Sequence, residues 1–275
     1  MKRDEEVMTN MRLCLGLVLQ AMVVLSVLGP AYADPSVNEI MEANFYTTKA
    51  KTVVTDQKMI LENDKGQQRV RDMTTYSKLR PSGAELSLVV KFNLPADVKG
   101  TTFLQIQNAE DDDDMWIYLP ALKKTRRLVS ANKKDSFVGS DFSYGDVLTL
   151  RPTFFQHVLL RSEMVDSHDC FVIESVPKDR TKGDDFGYSK KISWVRKDNY
   201  LELKVEYLNE KNELIKTQTT GEHKLLEAQP PRWIALKREM INHESGHKTI
   251  VLVTKTDTEK TLADNLFTVR SIEAR

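Results

Sequence analysis

From residue 52 onward, apolar and polar side chains largely alternate. Leu86, Leu88, Val90 and Phe92 are interleaved with Ser87 and Lys91; Leu201, Leu203, Val205 and Tyr207 are interleaved with Glu202, Lys204 and Glu206. A period of two predicts strands with one buried and one wet face. Further strands are predicted over 52–61, 67–79, 102–107, 115–119, 124–129, 157–165, 170–176, 190–196, 213–219, 233–241 and 248–255. Turn-forming clusters lie between strand-like runs: Asn63-Asp64-Lys65-Gly66, Pro81-Ser82-Gly83, Asn209-Glu210-Lys211-Asn212 and Glu244-Ser245-Gly246. Many strands joined by short turns, with no strand–helix alternation, predict a mainly β fold. The expected form is a single large curved antiparallel sheet, an unclosed barrel.

Two segments depart from this pattern. Val37, Ile40, Met41, Asn44 and Phe45 share one face of a helix, and Ser36 with Glu39 fits a capping box at its start. From Ser130 to Gln156 the chain is irregular. A connection of that length suggests a lid or a run of short helices. Asp141 is a candidate cap for a turn through Tyr144 to Val147, and Pro152 with Phe154 and Phe155 suggests a second short piece.

The first 33 residues read differently. Arg12 precedes the uncharged apolar run Leu13–Gly29, and Ala31-Tyr32-Ala33 follows, the pattern of a cleaved export signal. A retained anchor is disfavoured, because the run is at the lower limit for a span and Gly29-Pro30 breaks it. Asp4-Glu5-Glu6 is unusual in a signal, so Met8 and Met11 are alternative starts. The expected organisation is a signal over 1–33 and one domain over 34–275, a periplasmic monomer. Cys14 would leave with the signal, and Cys170, beside Phe171, Val172 and Ile173, reads as a buried strand thiol.

Charge narrows the function. The chain has 40 basic and 40 acidic side chains, which argues against a nucleic-acid binder. Lys123, Lys124, Arg126 and Arg127, followed by Lys133 and Lys134, form a basic cluster. It reads as a wet strand face and loop, or as a contact for anionic lipid headgroups or an acidic partner. Glu110 to Asp114 lacks calcium-loop spacing and reads as a solvated turn. His243-Glu244-Ser245-Gly246-His247 matches a zinc-protease string, but that chemistry needs a helix, and here strand-like flanks place the string in a hairpin turn. No catalytic residue, metal ligand or cofactor site is expected.

The stretch Gly100–Val147 carries a resemblance. Trp116-Ile117-Tyr118-Leu119-Pro120, Arg126-Arg127, Asp135-Ser136-Phe137 and Gly139-Ser140-Asp141-Phe142 with Tyr144 resemble the outer-membrane lipoprotein-sorting protein family, the LolA-like branch. The tail Ala263–Thr268 is also similar to the family's ending. The resemblance implies an unclosed barrel with short helices over its concave side, no enzyme activity, and a carrier that shields a lipid or lipoprotein acyl chains on an apolar inner surface. It also suggests an alternative, an adaptor docking on an inner-membrane exporter of the resistance-nodulation-division type. Within the signature, Gly139 can adopt a positive φ, and Ser140 and Asp141 can bond backbone N–H groups. Phe137, Phe142 and Tyr144 can pack into the cavity mouth. Trp116 and Tyr118 are placed with them as cavity or lid residues.

Overall fold

The computed structural model describes residues 35–109, 111–148, 150–179 and 185–273. The export signal expected over 1–33 lies outside them. Six strands form a first antiparallel meander: β1 (Thr52–Glu62), β2 (Gln68–Leu79), β3 (Leu86–Leu94), β4 (Thr102–Ile106), β5 (Asp114–Leu119) and β6 (Lys124–Leu128). Seven form a second: β7 (Phe155–Val165), β8 (His168–Pro177), β9 (Lys190–Arg196), β10 (Glu202–Leu208), β11 (Leu214–Ala228), β12 (Pro231–Asn242) and β13 (Lys248–Asp257). Antiparallel pairing of β1 with β13 fuses them into one 13-stranded sheet, in the order β6-β5-β4-β3-β2-β1-β13-β12-β11-β10-β9-β8-β7.

Strands β6 and β7 are consecutive in the chain yet lie at opposite edges of the sheet. The connection between them therefore crosses its width. Phe103 of β4 and Tyr207 of β10, from the two halves, belong to one buried cluster with Phe137, Phe142 and Tyr144 of that connection. A flat sheet of this breadth could not bring them together. The sheet curls, as its twist requires, and the connection lies across its inner face.

A second apolar layer covers the outer face of the first meander. Val54, Val89 and Leu104 are buried there against Leu262, Phe267 and Ile272, the last in the short helix α3 (Val269–Glu273). The helix α1 (Val37–Thr47), on the inner side, packs Ile40 and Met41 on Phe171, Ile173 and Val195. Its expected capping box is present: Ser36 Oγ accepts from Glu39 N, and Glu39 Oε2 accepts from Ser36 N at 2.8 Å. Cys170 is fully buried, and burial raises its thiol pKa.

The structure departs from the sequence pattern at several elements. Strand β11 runs far beyond 219, to Ala228, because its partner β12 continues the ladder past Gly221. The cap of α2 (Tyr144–Val147) is Ser143, which accepts from Asp146 N at 3.1 Å, and not Asp141. The acidic run is more than a solvated turn. Asp112 accepts from Lys133 Nζ at 2.8 Å and Asp113 accepts from Gln105 Nε2 at 2.7 Å. Lys133 is therefore not part of a wet basic face: its side chain is only 4% exposed.

Candidate functional site

A cavity of about 370 Å³ lies between the inner face of the sheet, α1 and the crossing connection. That size falls within the range of about 300–1,000 Å³ usual for ligand sites. Its apolar wall comes from Met59, Met73, Leu88, Val90, Val251 and Val253, all inward-facing strand positions. Phe137, Phe142, Val147, Leu148 and Leu150 close it from above, and Met41 and Phe45 of α1 close one side. The remaining wall is polar, unlike the apolar inner surface expected: Thr55, Gln57, Gln105, Gln218, Thr220, His223, Glu202 and Arg238 also line it. These side chains occupy inward positions that the alternation had marked only as polar.

Several polar ties hold the crossing connection to the sheet. Arg71 of β2 donates to the carbonyl of Val138. Asp141 N donates to Thr249 Oγ1 of β13 at 3.0 Å, and that hydroxyl donates to Asp141 Oδ2 at 2.6 Å. Lys216 of β11 pairs with Asp146 of α2 at 2.6 Å. The Phe137 ring meets Phe103 and Tyr144 edge to face, with centroids 5.5 and 5.4 Å away. Such contacts add to the burial itself. Gly139 takes a φ of +75°, as its lack of Cβ allows, but the preceding Val138 also has a positive φ of 51°. A β-branched residue in that region is strained.

Phe137 and Phe142 line the cavity; Tyr144 is buried beside it. Ser140 does not bond N–H groups. Its hydroxyl donates to the Phe137 carbonyl at 2.8 Å, and Asp141 reaches across to Thr249. Trp116 and Tyr118 are corrected: they point to the outer face and pack against the layer of Leu262 and Phe267. In β5 the inward positions are Met115 and Ile117, so a period of two puts Trp116 and Tyr118 on the opposite side. Lys123, Lys124, Arg126 and Arg127 are exposed on and beside the edge strand β6, with Arg127 paired to Asp114 at 2.6 Å.

The His243–His247 string forms the β12–β13 turn, where Gly246 N donates to the Asn242 carbonyl at 3.0 Å. His243 Nε2 lies 2.8 Å from Thr217 Oγ1, and the two imidazoles share no helical face. Among the described residues, no group of three or more His, Cys, Asp or Glu side chains is arranged to hold a metal ion. No described helix is long and apolar enough to cross a membrane.

Comparison with solved structures places this geometry. A proposed outer membrane lipoprotein-sorting protein domain from Vibrio parahaemolyticus is 30% identical and superposes with a TM-score of 0.79, covering 86% of this chain and 98% of that one. A family model described as "Uncharacterized protein" matches residues 85–274. The chain belongs to the outer-membrane lipoprotein-sorting family. A DUF1329 family protein from Desulfovibrio piger is 28% identical, with a TM-score of 0.77 over 86% of this chain and 97% of that one. A LolA superfamily protein from Nitrosomonas europaea, 19% identical over 85% of this chain and 98% of that one, shares the fold with a TM-score of 0.65. No curated protein matched. In the sheet the two meanders are hydrogen-bonded to each other through β1 and β13, and chain from the β6–β7 link and from α1 covers the inner face over the cavity.

Proposed function

We propose that this protein is a periplasmic carrier that holds a lipid, or the acyl chains of a lipoprotein, in the covered cavity during transport to or from the outer membrane. The observation that carries the reading is the cavity itself, about 370 Å³ with an aliphatic and aromatic wall under a cover held by separable polar ties. A buried chain gains about 0.8 kcal/mol per methylene, so such a site needs no catalytic group to retain its cargo. The similarity to a lipoprotein-sorting domain supports the same reading, including an envelope location. The connection 130–156 serves as the lid, with Phe137 and Phe142 as its contact with cargo. The exposed Lys123, Lys124 and Arg126 serve as the contact with an anionic membrane surface. An adaptor docking on an exporter has no need of an open cavity, so the cavity favours the carrier.

Native mass spectrometry of protein purified gently from the producing cell tests this. The expected spectrum contains an additional mass equal to a lipid or acylated peptide, removed by organic extraction. A spectrum of bare protein that also fails to take up acyl chains in vitro contradicts the carrier and leaves the adaptor.

A further inference from the structure

The wall of the cavity built by β10, β11 and β12 carries polar groups with no hydrogen-bond partner among the described residues. Glu202 Oε1 is buried without a hydrogen-bond partner, and Lys191 Nζ stands 4.0 Å from it. Trp233 Nε1 is buried and likewise unpaired. Arg238 is half-buried, its guanidinium stands 5.6 Å from the centroid of the Phe142 ring, and among the described residues no acceptor hydrogen-bonds it. Asp146, the carboxylate whose charge it feels, is already held by Lys216 at 2.6 Å and by Ser143 N at 2.7 Å. Glu202, Arg238 and Trp233 all line the cavity, as does Lys191, the ion-pair partner of Glu202.

Arg238 and Glu202 form a contiguous site. Thr220 of β11 stands opposite Arg238 of β12, and its hydroxyl donates to the Glu202 carbonyl of β10 at 2.5 Å. Arg238 and Glu202 thus flank one residue on successive strands, about 10 Å apart along the sheet. Buried polar groups in folded proteins are almost always satisfied, by protein, water or ligand. A guanidinium offers only donors and suits the oxygens of an anion; a carboxylate offers only acceptors and calls for a donor. An acyl chain alone satisfies neither.

We propose that this wall is a head-group subsite, in which Arg238 takes an anionic phosphate oxygen of a lipid head and Glu202 accepts a hydrogen bond from a hydroxyl or ammonium group beside it. The ligand class is a phospholipid-like amphiphile whose tail lies against Met59, Leu88 and Val251. This rests on the carrier reading above and gives its cargo a chemical identity.

The test is equilibrium binding of four single-chain ligands with the same C16 tail to the purified protein. They are palmitoyl lysophosphatidylethanolamine, palmitoyl lysophosphatidylglycerol, palmitate and hexadecanol. At least one lysophospholipid should bind about tenfold or more tighter than hexadecanol, with palmitate between, as expected for one or two charge-assisted hydrogen bonds. Arg238→Gln should erase that advantage and leave hexadecanol affinity within about twofold, while Arg238→Lys keeps part of it. A preference for ethanolamine that is lost in Glu202→Gln identifies an ammonium beside the phosphate. A preference for glycerol that survives Glu202→Gln identifies a hydroxyl. If the wild-type protein binds all four equally, the subsite is overturned while the carrier reading stands. If it binds none, the carrier reading itself fails. The wild-type comparison decides even if the Arg238 variants do not fold.

Discussion

Lys216 Nζ of β11 lies 2.6 Å from Asp146 Oδ2 of α2, and the Asp146 side chain is only 2% exposed. This pair fastens the crossing connection to the second meander, at the rim of the cavity. Both charges have left water, so removing one strands the other. Lys216→Met should cost about 3–5 kcal/mol of stability, whereas the double change with Asp146→Asn should cost clearly less than the two single changes added together. Urea unfolding of the three variants checks this; additive losses would show that the pair is not an energetic tie.

Phe142 is 2% exposed and lines the cavity. Phe142→Ala should weaken binding of a palmitoyl ligand. If the connection is a mobile cover, this loss should exceed the loss of stability in the empty protein. A fixed core position would show the reverse, a loss of about 3–5 kcal/mol on melting with binding otherwise intact.

Stability should depend on pH through Lys49. The side chain is buried, its Nζ donates to Gln107 Oε1 at 2.9 Å, and the Phe45 ring lies 3.6 Å away. Burial, reinforced by the charge of Arg151, lowers its pKa from 10.5 to about 7. Between those values the unfolded chain binds a proton that the folded chain has released, so stability rises with pH across that window. Below about pH 7 both states are protonated and the contribution of Lys49 to the slope vanishes. Lys49→Met should flatten the rise between neutral and alkaline pH, measured by denaturant unfolding. An unchanged slope would remove Lys49 as its origin.

The string His243–His247 should be inert. Replacing both histidines with alanine at this exposed turn should change stability by no more than about 0.5 kcal/mol. Acyl-ligand binding should be unaffected. Stoichiometric zinc lost together with binding would contradict the turn assignment.

Lys123, Lys124 and Arg126 should matter for membranes and not for folding. Each change to glutamine should lower partition onto anionic vesicles by about fivefold at low salt, with melting unchanged. Arg127 should matter less, because Asp114 already holds its guanidinium at 2.6 Å. Equal partition of all variants would leave the cluster as solvated surface.

The strands were legible because one periodic signal, alternation, decides them locally. The start of α1 was legible for the same reason, since Ser36 and Glu39 close a box within one turn. Which face of a strand meets the cavity is not local information. In β5 both faces are apolar, Met115 and Ile117 inward, Trp116 and Tyr118 outward, and only the C-terminal layer shows why. Glu202 read as part of a wet face because it alternates with Leu201 and Leu203, yet it lines the cavity. The position of Arg238 is a signal legible in the sequence. It shares the parity of Ile234 and Met240, so a charge interrupts an apolar inward row.

The central claim, that acyl chains occupy the space beneath the crossing connection, is tested most directly by photo-cross-linking in intact cells. A photoreactive residue replaces Leu88, which lines the cavity, or Lys58, which is exposed and paired with Asp72 at 2.9 Å. The account predicts lipid or acylated-peptide adducts from the Leu88 position and none from Lys58. Adducts from neither position, or equally from both, would contradict it.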